Sequence, residues 1–340
     1  MKKCLIILAA AAMLAGCAEK EVITPEETAP AEITFTTAPL TKADAFGTDK
    51  IVQTYAFYTA STFDYTSGEE YIPASTVSHT DDVWKTEKTY LWPKDGGVLS
   101  FFSWSLNSSS LKYNDGTDPK VTFSATDGIT LTDYSSVGNN DFMVADPALN
   151  LSGNANKTYY HIGVPTLFRH KASQIAFKVK TSKDYSGRTF KLAGITFANI
   201  STSGTYKQGT DPTNVTASTE TWTPAASTTT TSYYSSTEGT TFADTEVTVP
   251  VNGTSIFVPQ DFTETDGKTV TVTYTITSGT TVTEKSATIS MNKLLGGGST
   301  VSIQKGKYYT VTLIFSVGTE ILWNPEVKDW TEESKDVTVG

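Results

Sequence analysis

The sequence is poor in the residues that carry disulfide and metal chemistry. Its 340 residues include only two cysteines and three histidines. Both cysteines, Cys4 and Cys17, lie in the first 17 residues, so the rest of the chain has no thiol for a disulfide, a thiolate metal site or a nucleophile. The histidines, at positions 79, 161 and 170, have no ligand-like spacing. We therefore expect no metal and no cofactor, and a fold stabilised by packing and strand pairing.

Motifs for enzymatic chemistry are lacking as well. The sequence has no Gly-x-Ser-x-Gly elbow. The neighbouring acids Glu69-Glu70, Asp81-Asp82 and Glu332-Glu333 would point to opposite faces of a strand, which does not build an acid/base pair. The segment 266–269 resembles the end of a P-loop, but Phe262 stands where the first glycine belongs. No catalytic residue is assigned, and we predict that the chain is not an enzyme.

Positive charge is outnumbered, and helix-forming residues are sparse. The chain has 26 Lys and Arg residues against 36 Asp and Glu, a net charge of −10. Without residues 1–16, which hold two lysines and no acid, the net charge is −12. An acidic surface argues against nucleic acid as a partner. Thr, Ser, Val and Tyr are abundant instead of Leu, Glu and Lys, which is the composition of strands.

The N-terminus, by contrast, carries a specific signal. Lys2 and Lys3 precede an apolar run from Leu5 to Leu14, and the sequence Leu14-Ala15-Gly16-Cys17 matches the bacterial lipobox. The run is too short for a retained membrane span. We predict a signal peptide over 1–16 and a mature chain that is anchored to the outer membrane through acyl chains on Cys17. The alternative is an ordinary secretory signal with a chance cysteine.

Beyond Cys17, a polar tether is followed by segments with strand periodicity. Residues 18–32 are rich in Glu, Pro and Thr, which is typical of a flexible tether. Alternating or continuous apolar segments then predict strands throughout the chain. The clearest are Ile33–Phe35, Val98–Trp104, Ile175–Val179, Val247–Val251, Val270–Ile276, Ala287–Met291 and Tyr309–Val317. The spacing predicts an all-β fold of the sandwich type.

Two loops and one boundary are also predicted from composition. Asn252-Gly253 is a strong hairpin signal, because both residues tolerate positive φ. The Thr/Ser run over 225–239 is interpreted as a long exposed loop. The polar stretch 180–187 lies near the middle of the chain, so we place a domain boundary there, which gives an N-terminal domain over 43–182 and a C-terminal domain over 183–340.

The order of short motifs along the chain resembles the fimbrillins of Bacteroidetes, the Mfa-like fimbrial subunits. The segment that looks most like the family is Phe168–Phe177, with the sequence FRHKASQIAF. The other matching pieces, in order, are Ile33-Thr34-Phe35, Thr41-Lys42-Ala43, Trp92-Pro93, Leu99–Trp104, Asp141–Ala145, Gly204-Thr205-Tyr206, Val258-Pro259-Gln260, Lys307-Tyr308-Tyr309 and Val327–Trp330.

The resemblance implies an architecture and a way of assembling. It implies two tandem transthyretin-like Greek-key β-sandwich domains and a subunit exported as a lipoprotein. A protease would cut between Lys42 and Ala43 and remove the segment 17–42 with the first strand. A C-terminal strand of another fimbrial subunit, with Trp330, Val337 and Val339 as candidates in this chain, would fill the groove. The implied place is the outer membrane and then a fimbrium that supports adhesion to an unidentified receptor.

Other interpretations of the same residues remain open. Lys42 has the alternative of being an exposed lysine in a loop, and the C-terminal tail that of pairing within its own domain. A surface lipoprotein that binds glycans is the alternative function, with Trp84, Trp92, Trp222 and Trp323 as stacking platforms, although tryptophan is more often a core residue. A subunit that polymerises should form ladders resistant to mild SDS, whereas a glycan binder should stay monomeric.

Overall fold

A computed structural model describes residues 31–38, 51–65, 67–106, 120–124, 127–154, 156–209, 219–318 and 320–330. Over these residues the chain is built of strands, apart from the short helices α1 (Thr158–Ile162) and α2 (Met291–Leu294). Neither the length nor the hydrophobicity needed to cross a membrane is reached by any helix in the described residues. The all-β class predicted from the composition is confirmed.

The strands of the first half of the chain lead up to residue 170. In chain order they are β1 (Thr34–Ala38), β2 (Ile51–Thr59), β3 (Glu69–Thr80), β4 (Val83–Thr86), β5 (Val98–Leu106), β6 (Lys120–Ser124), β7 (Gly128–Ser135), β8 (Phe142–Ala145), β9 (Ala148–Ser152) and β10 (Val164–His170).

The strands of the second half begin only two residues later. They are β11 (Ser173–Thr181), β12 (Arg188–Ala198), β13 (Ser203–Lys207), β14 (Thr221–Pro224), β15 (Thr230–Phe242), β16 (Val247–Thr248), β17 (Ile256–Phe257), β18 (Gln260–Phe262), β19 (Thr269–Ser278), β20 (Thr281–Ser290), β21 (Val301–Ile303), β22 (Lys307–Phe315) and β23 (Leu322–Asp329).

Seven strands of the first half close into a ring. Their order is β2-β3-β4-β1-β10-β8-β5, and β5 pairs back onto β2 along its whole length. Leu99 and Phe101 of β5 point into the ring, whereas Phe102 and Trp104 point outward, and all four side chains are buried. The prediction that this strand is buried on both faces is confirmed, because a second sheet covers the outside of the ring.

That second sheet joins strands from both halves of the chain. Its order is β14-β13-β7-β6, so two strands of the second half extend a hairpin of the first. Ile129, Leu131 and Tyr206 of this sheet pack in one apolar cluster with Phe102 and Trp104 of the ring. The N-terminal half is therefore a two-layered β-structure whose outer layer is contributed by both halves.

The C-terminal half is a sandwich of two sheets. One sheet has the order β16-β11-β22-β23, with β17 also on β11, and the other has the order β15-β12-β19-β20. Ile175, Phe177 and Val179 of β11 face the core, as the alternation predicts, and so do Val270 and Val272 of β19. The pairing between β11 and β22 is parallel.

The hydrogen bonds do not follow the predicted division after residue 182. Strand β11 falls in the predicted domain 43–182 but pairs with β22, while β13 falls in 183–340 and pairs with β7. The ring ends with β10 and the C-terminal sandwich begins with β11, so Lys171 and Ala172 stand between them, although β13 and β14 cross over to the sheet of β6 and β7. Independent folding of two domains is a separate property, and the division stays a prediction.

Two local predictions are wrong. The supposed loop over 225–239 contains most of β15, a strand of 13 residues that is anchored in the core by Tyr233 and Tyr234. The dipeptide Asn252-Gly253 makes no hairpin, because neither residue has positive φ and the flanking strands β16 and β17 both pair with β11. Instead, the backbone of Gly253 lies so close to the carbonyl of Ser232 that a Cβ would collide with it.

Candidate assembly site

Strand β1 completes the ring by filling the space between β4 and β10. It runs parallel to β10, from Phe35 opposite Val164 to Ala38 opposite Leu167. On its other edge it runs antiparallel to β4, with Phe35 opposite Trp84. Without this strand the ring would be open, and β4 and β10 would each present unpaired backbone groups.

The residues just before β1 are held in the same way. The N–H group of Ile33 donates to the carbonyl of Tyr90 at 2.8 Å, and the N–H group of Trp92 donates to the carbonyl of Ala31 at 3.0 Å. The N–H group of Ala31 donates to the hydroxyl of Tyr160 at 3.1 Å. The segment 31–38 thus has backbone partners on both of its sides.

Two side chains of this segment enter the ring interior. Ile33 is fully buried and Phe35 is 3% exposed. The ring of Phe35 meets that of Phe101 on the opposite wall, edge to face, with centroids 5.8 Å apart. Burial of a large apolar side chain contributes roughly 1.5–3 kcal/mol, so these two together stabilise the closed ring by several kcal/mol.

Gly163 allows the close approach of β1 to the turn before β10. Its φ is +105°, and a Cβ placed on it would lie 2.6 Å from the carbonyl carbon of Phe35. One residue earlier, the carbonyl of Ile162 accepts a hydrogen bond from the Thr36 hydroxyl at 2.7 Å. Position 163 therefore requires glycine for two reasons: its φ is positive, and a side chain there would collide with the backbone of β1. We call the space that segment 31–38 fills between β4 and β10 the β1 slot.

Most of the predicted site residues lie outside the described residues. These are Cys17, the processing pair Lys42 and Ala43, and the donor candidates Val337 and Val339. Their predicted roles remain untested. The remaining candidate, Trp330, is described and ends the C-terminal part of the structure.

Trp330 lies against the end of β10. Its ring is parallel to that of His170, with an interplanar angle of 5° and centroids 4.1 Å apart. Its backbone N–H donates to the carbonyl of Gly306 at 2.8 Å. The His170 side chain is itself buried, and its Nδ1 lies 2.6 Å from Oδ2 of Asp141, which is buried as well.

A buried ionic cluster lies beside this stack. The Nζ atom of Lys171 lies 2.8 Å from Glu220, which also pairs with Lys305. Burial lowers the pKa of Lys171, and the charge of Glu220 opposes that shift. Burial by itself would raise the pKa of Glu220, but the two ammonium groups hold it below its usual range. The cluster joins the segment between the two halves to the sheet of β14 and to the turn before β22.

Asn139 makes further contacts between the halves. Its Nδ2 donates to the carbonyl of Gly253 at 2.9 Å, and its Oδ1 accepts from the N–H of Ser255 at 2.7 Å. Within the second half, the hydroxyl of Ser173 donates to the carbonyl of Gln304 at 2.7 Å. The bonds of Asn139, the stack of Trp330 on His170 and the pair of Lys171 with Glu220 join the two halves.

Two of the four tryptophans proposed as glycan platforms are buried and two are half-buried. Trp84 is 6% exposed and Trp92 is 2% exposed, since both lie inside the ring. Trp222 donates its indole N–H to the carbonyl of Lys171 at 2.7 Å, and Trp323 donates to the carbonyl of Lys293 at 3.0 Å. The prediction that Trp84 and Trp92 are exposed stacking surfaces is therefore wrong.

The polar residues at the junction were not predicted to have a role. His170 and Lys171 stand in the motif FRHKASQIAF, which the sequence marks only through its resemblance to the fimbrillins. Asp141 and Glu220, their partners, lie 29 and 49 positions from them along the chain. An unusual His-Lys pair between two apolar segments was the available signal, but nothing local indicated its partners.

The fold and the site define a class of protein: an all-β chain whose first described strand completes a closed ring and whose last described residue, Trp330, packs at the junction of two halves. The fimbrillin-like family matches residues 35–330, from β1 to Trp330, and the chain belongs to this family. No curated protein matches it.

Two solved structures are similar to this chain at low identity. A fimbrial protein from Bacteroides vulgatus is 16% identical, with a TM-score of 0.51, over 88% of this chain and 100% of that chain. The tip fimbrial protein Mfa3 from Porphyromonas gingivalis, solved with a C-terminal truncation, is 11% identical, with a TM-score of 0.42, over 89% of this chain and 100% of that chain.

Proposed function

We propose that this chain is a structural, non-enzymatic subunit of a cell-surface fimbrium that assembles by strand exchange. It is exported as a lipoprotein on Cys17, cut between Lys42 and Ala43 and polymerised when another subunit's C-terminal strand replaces β1. The observation that carries the proposal is the placement of segment 31–38, which closes the ring and lies entirely before Lys42.

The physical argument starts from what removal of this segment would expose. The departure of Ile33 and Phe35 would open an apolar slot lined by Phe101, Val164 and Phe168. Backbone groups of β4 and β10 would lose their partners at the same time. A slot that is apolar and bordered by two unpaired strand edges favours an incoming strand, which satisfies both needs together.

The C-terminal segment is the proposed donor. Beyond Trp330 the sequence ends in Val337-Thr338-Val339-Gly340, whose Val-Thr-Val alternation fits a strand with one face in an apolar slot. Donor and slot are different parts of the subunit, so the contact is heterologous and builds a filament instead of a closed dimer. Two sandwich-like halves in tandem, with residues 17–42 as a removable pro-segment, complete the proposal.

Processing at Lys42 is the step to test first. We would compare the wild type with Lys42→Ala, Lys42→Arg and a matched control, Lys50→Ala, which removes the next lysine along the chain. After limited treatment with a trypsin-like protease, ladders resistant to mild SDS are expected for all but Lys42→Ala. The N-terminal residue of the polymers is expected to be Ala43.

Two results would refute the proposed processing. One is equal polymerisation of Lys42→Ala and wild type. The other is a polymer whose subunits still begin at Cys17, since the β1 slot would then remain occupied in the fibre.

A further inference from the structure

The β1 slot and the anchor of the C-terminal segment lie on one strand. Strand β10 faces β1 from Val164 to Leu167, and its last residue, His170, carries the stacked ring of Trp330. Leu167 and His170 are about 10 Å apart along a strand. The place where a strand enters the subunit and the place where the C-terminal segment leaves it are therefore set by the same element.

We propose that Trp330 is a positioning residue for assembly. Its stack on His170 fixes the point from which the C-terminal segment starts, and that point lies on β10, the strand that also borders the β1 slot. The inference rests on the strand exchange proposed above, and it adds to it a named anchor for the donor.

His170, on which Trp330 stacks, is itself held in place by neighbouring residues. His170 has a side chain that is 2% exposed, and it is held by Asp141 at 2.6 Å. Behind it, Gly306 approaches so closely that a Cβ there would lie 3.1 Å from the carbonyl of His170. Gly306 also accepts the backbone hydrogen bond from Trp330, so the stacked ring and its backbone are held by the same turn.

The rest of β23 is held within its own half, since it pairs with β22 as far as Asp329 opposite Lys307. The strand lies at the edge of its sheet, and Val327 is 56% exposed. Its last ion pair, Asp329 with Lys307, is largely exposed on the Asp329 side. Exposed ion pairs contribute little to stability. Trp330, directly after the strand, reaches the N-terminal half, where its ring stacks on His170.

Loss of the stack should act on the donor and not on the acceptor. A donor whose origin is fixed presents its strand to a neighbour at a higher effective concentration than one whose origin moves. An aromatic stack favours the docked over the undocked state by roughly two- to tenfold. We expect a decrease of that size in the rate at which a Trp330→Ala donor enters a neighbour's slot.

The test separates the two roles by using subunits that can perform only one of them. Donors are Lys42→Ala precursors, which keep β1, and acceptors are processed subunits that lack residues 331–340. Trp330→Ala in the donor should slow formation of the donor–acceptor dimer roughly two- to tenfold. The same change in the acceptor should leave the rate unaltered, and Trp330→Phe in the donor should restore most of it.

Trp323→Ala is the matched control, because Trp323 lies near the start of β23 and bonds to Lys293, whereas Trp330 follows the end of that strand at the junction. Three results would overturn the inference: a Trp330→Ala donor as fast as wild type, an equal decrease for Trp323→Ala, or an equal decrease when the change is in the acceptor. Each would mean that Trp330 only stabilises the fold or does nothing for assembly.

A second measurement distinguishes failure of the anchor from failure of strand exchange. If wild-type donor and acceptor form no dimer, the proposed function has failed, and the anchor is judged on the monomer by hydrogen exchange. Trp330→Ala should then accelerate exchange of the Lys328 and Asp329 amides, whereas Trp323→Ala should not. Unchanged exchange at these amides in Trp330→Ala would refute the anchor itself.

Discussion

Phe35 and Phe101 meet edge to face across the interior of the ring, and this contact joins the strand that is proposed to leave to the wall that stays. Their centroids are 5.8 Å apart, and both side chains are almost fully buried. The contact makes the stability of the precursor depend on a residue that the proposed mature subunit no longer contains.

The first prediction follows from that dependence. Phe35→Ala should lower the free energy of unfolding of the unprocessed chain by about 3–5 kcal/mol, the usual effect of truncating a core phenylalanine. Urea denaturation measures it, with Thr36→Ala as the control at the neighbouring position, where a smaller decrease is expected because only the hydroxyl bond to Ile162 is lost. Fibres made from the processed Phe35→Ala chain should be as stable as wild-type fibres, because residue 35 has been removed. A decrease under about 1 kcal/mol in the precursor would contradict the packing described.

A second prediction concerns Gly163 beneath β1. Alanine there meets both a positive φ and the backbone of Phe35 at 2.6 Å, so it should lower the unfolding free energy of the precursor by about 2–4 kcal/mol and loosen β1. Gly138→Ala separates the two causes, since Gly138 has a φ of +78° but no atom within 4 Å of the point that a Cβ would occupy. If the two substitutions lowered the unfolding free energy equally, the close contact between position 163 and the backbone of Phe35 would contribute nothing.

The third prediction concerns charge at the junction. Glu220→Gln leaves Lys171 buried without its counter-ion, which should lower the unfolding free energy at pH 7 by roughly 3–5 kcal/mol. The control is Glu246→Gln, in the exposed pair with Lys178, where only a small change is expected. Thermal and urea unfolding at pH 7 measure both. A minor effect of Glu220→Gln would mean that Lys171 is solvated.

The same carboxylate predicts a dependence on pH. The folded chain holds the pKa of Glu220 below its ordinary value of 4.5, so the stabilisation is present above that value and is lost as pH falls through the lower folded pKa. Wild type should therefore lose more stability than Glu220→Gln between about pH 5 and the acid limit of folding. Parallel pH profiles for the two proteins would contradict the depressed pKa.

A fifth prediction tests β15, the strand whose Thr- and Ser-rich composition had suggested a loop. The hydroxyl of Tyr233 accepts a hydrogen bond from the N–H of Phe177 at 3.2 Å and donates to the carbonyl of Val249 at 3.3 Å. Tyr233→Phe should cost about 1–3 kcal/mol of unfolding free energy by leaving the Phe177 N–H unpaired in the core. Tyr185→Phe, whose hydroxyl contacts the exposed Ser182, should have a smaller effect. Chemical denaturation of both variants decides the matter.

Strands with a clean period of two were predictable from local sequence, and those defined by distant partners were not. The alternation in β11 and β19 identifies their core faces directly. In β15, Thr and Ser dominate the composition, although Tyr233, Tyr234 and Phe242 of this strand lie in the core. The parallel pairing of β1 with β10 joins segments that no local pattern links. Trp84 and Trp92 looked available as surface residues because their burial depends on a ring that closes around them.

The candidate site divides in the same manner. The strand around Ile33 and Phe35 was predicted from its alternation, and its apolar side chains do lie in the core. The stack between Trp330 and His170 was not predicted, since each residue taken alone is an ordinary aromatic near the end of a strand. Their partnership follows from the way that β22 and β23 return the chain to the junction.

The pairing of β1 with β10 also sets the order of events when the chain folds. Ala31 and its partner Tyr160 are separated by 129 positions, among the longest separations over which contacts form in the first half of the chain. Contacts between distant segments form slowly, because the entropy of closing a long loop is lost before the contacts contribute any stabilisation. The segment at the N-terminal end of the described chain is thus among the last to find its partners. Folding of the ring should be limited by this closure, and a chain that is slow to close has an interval in which β4 and β10 stand ready for any strand that reaches them.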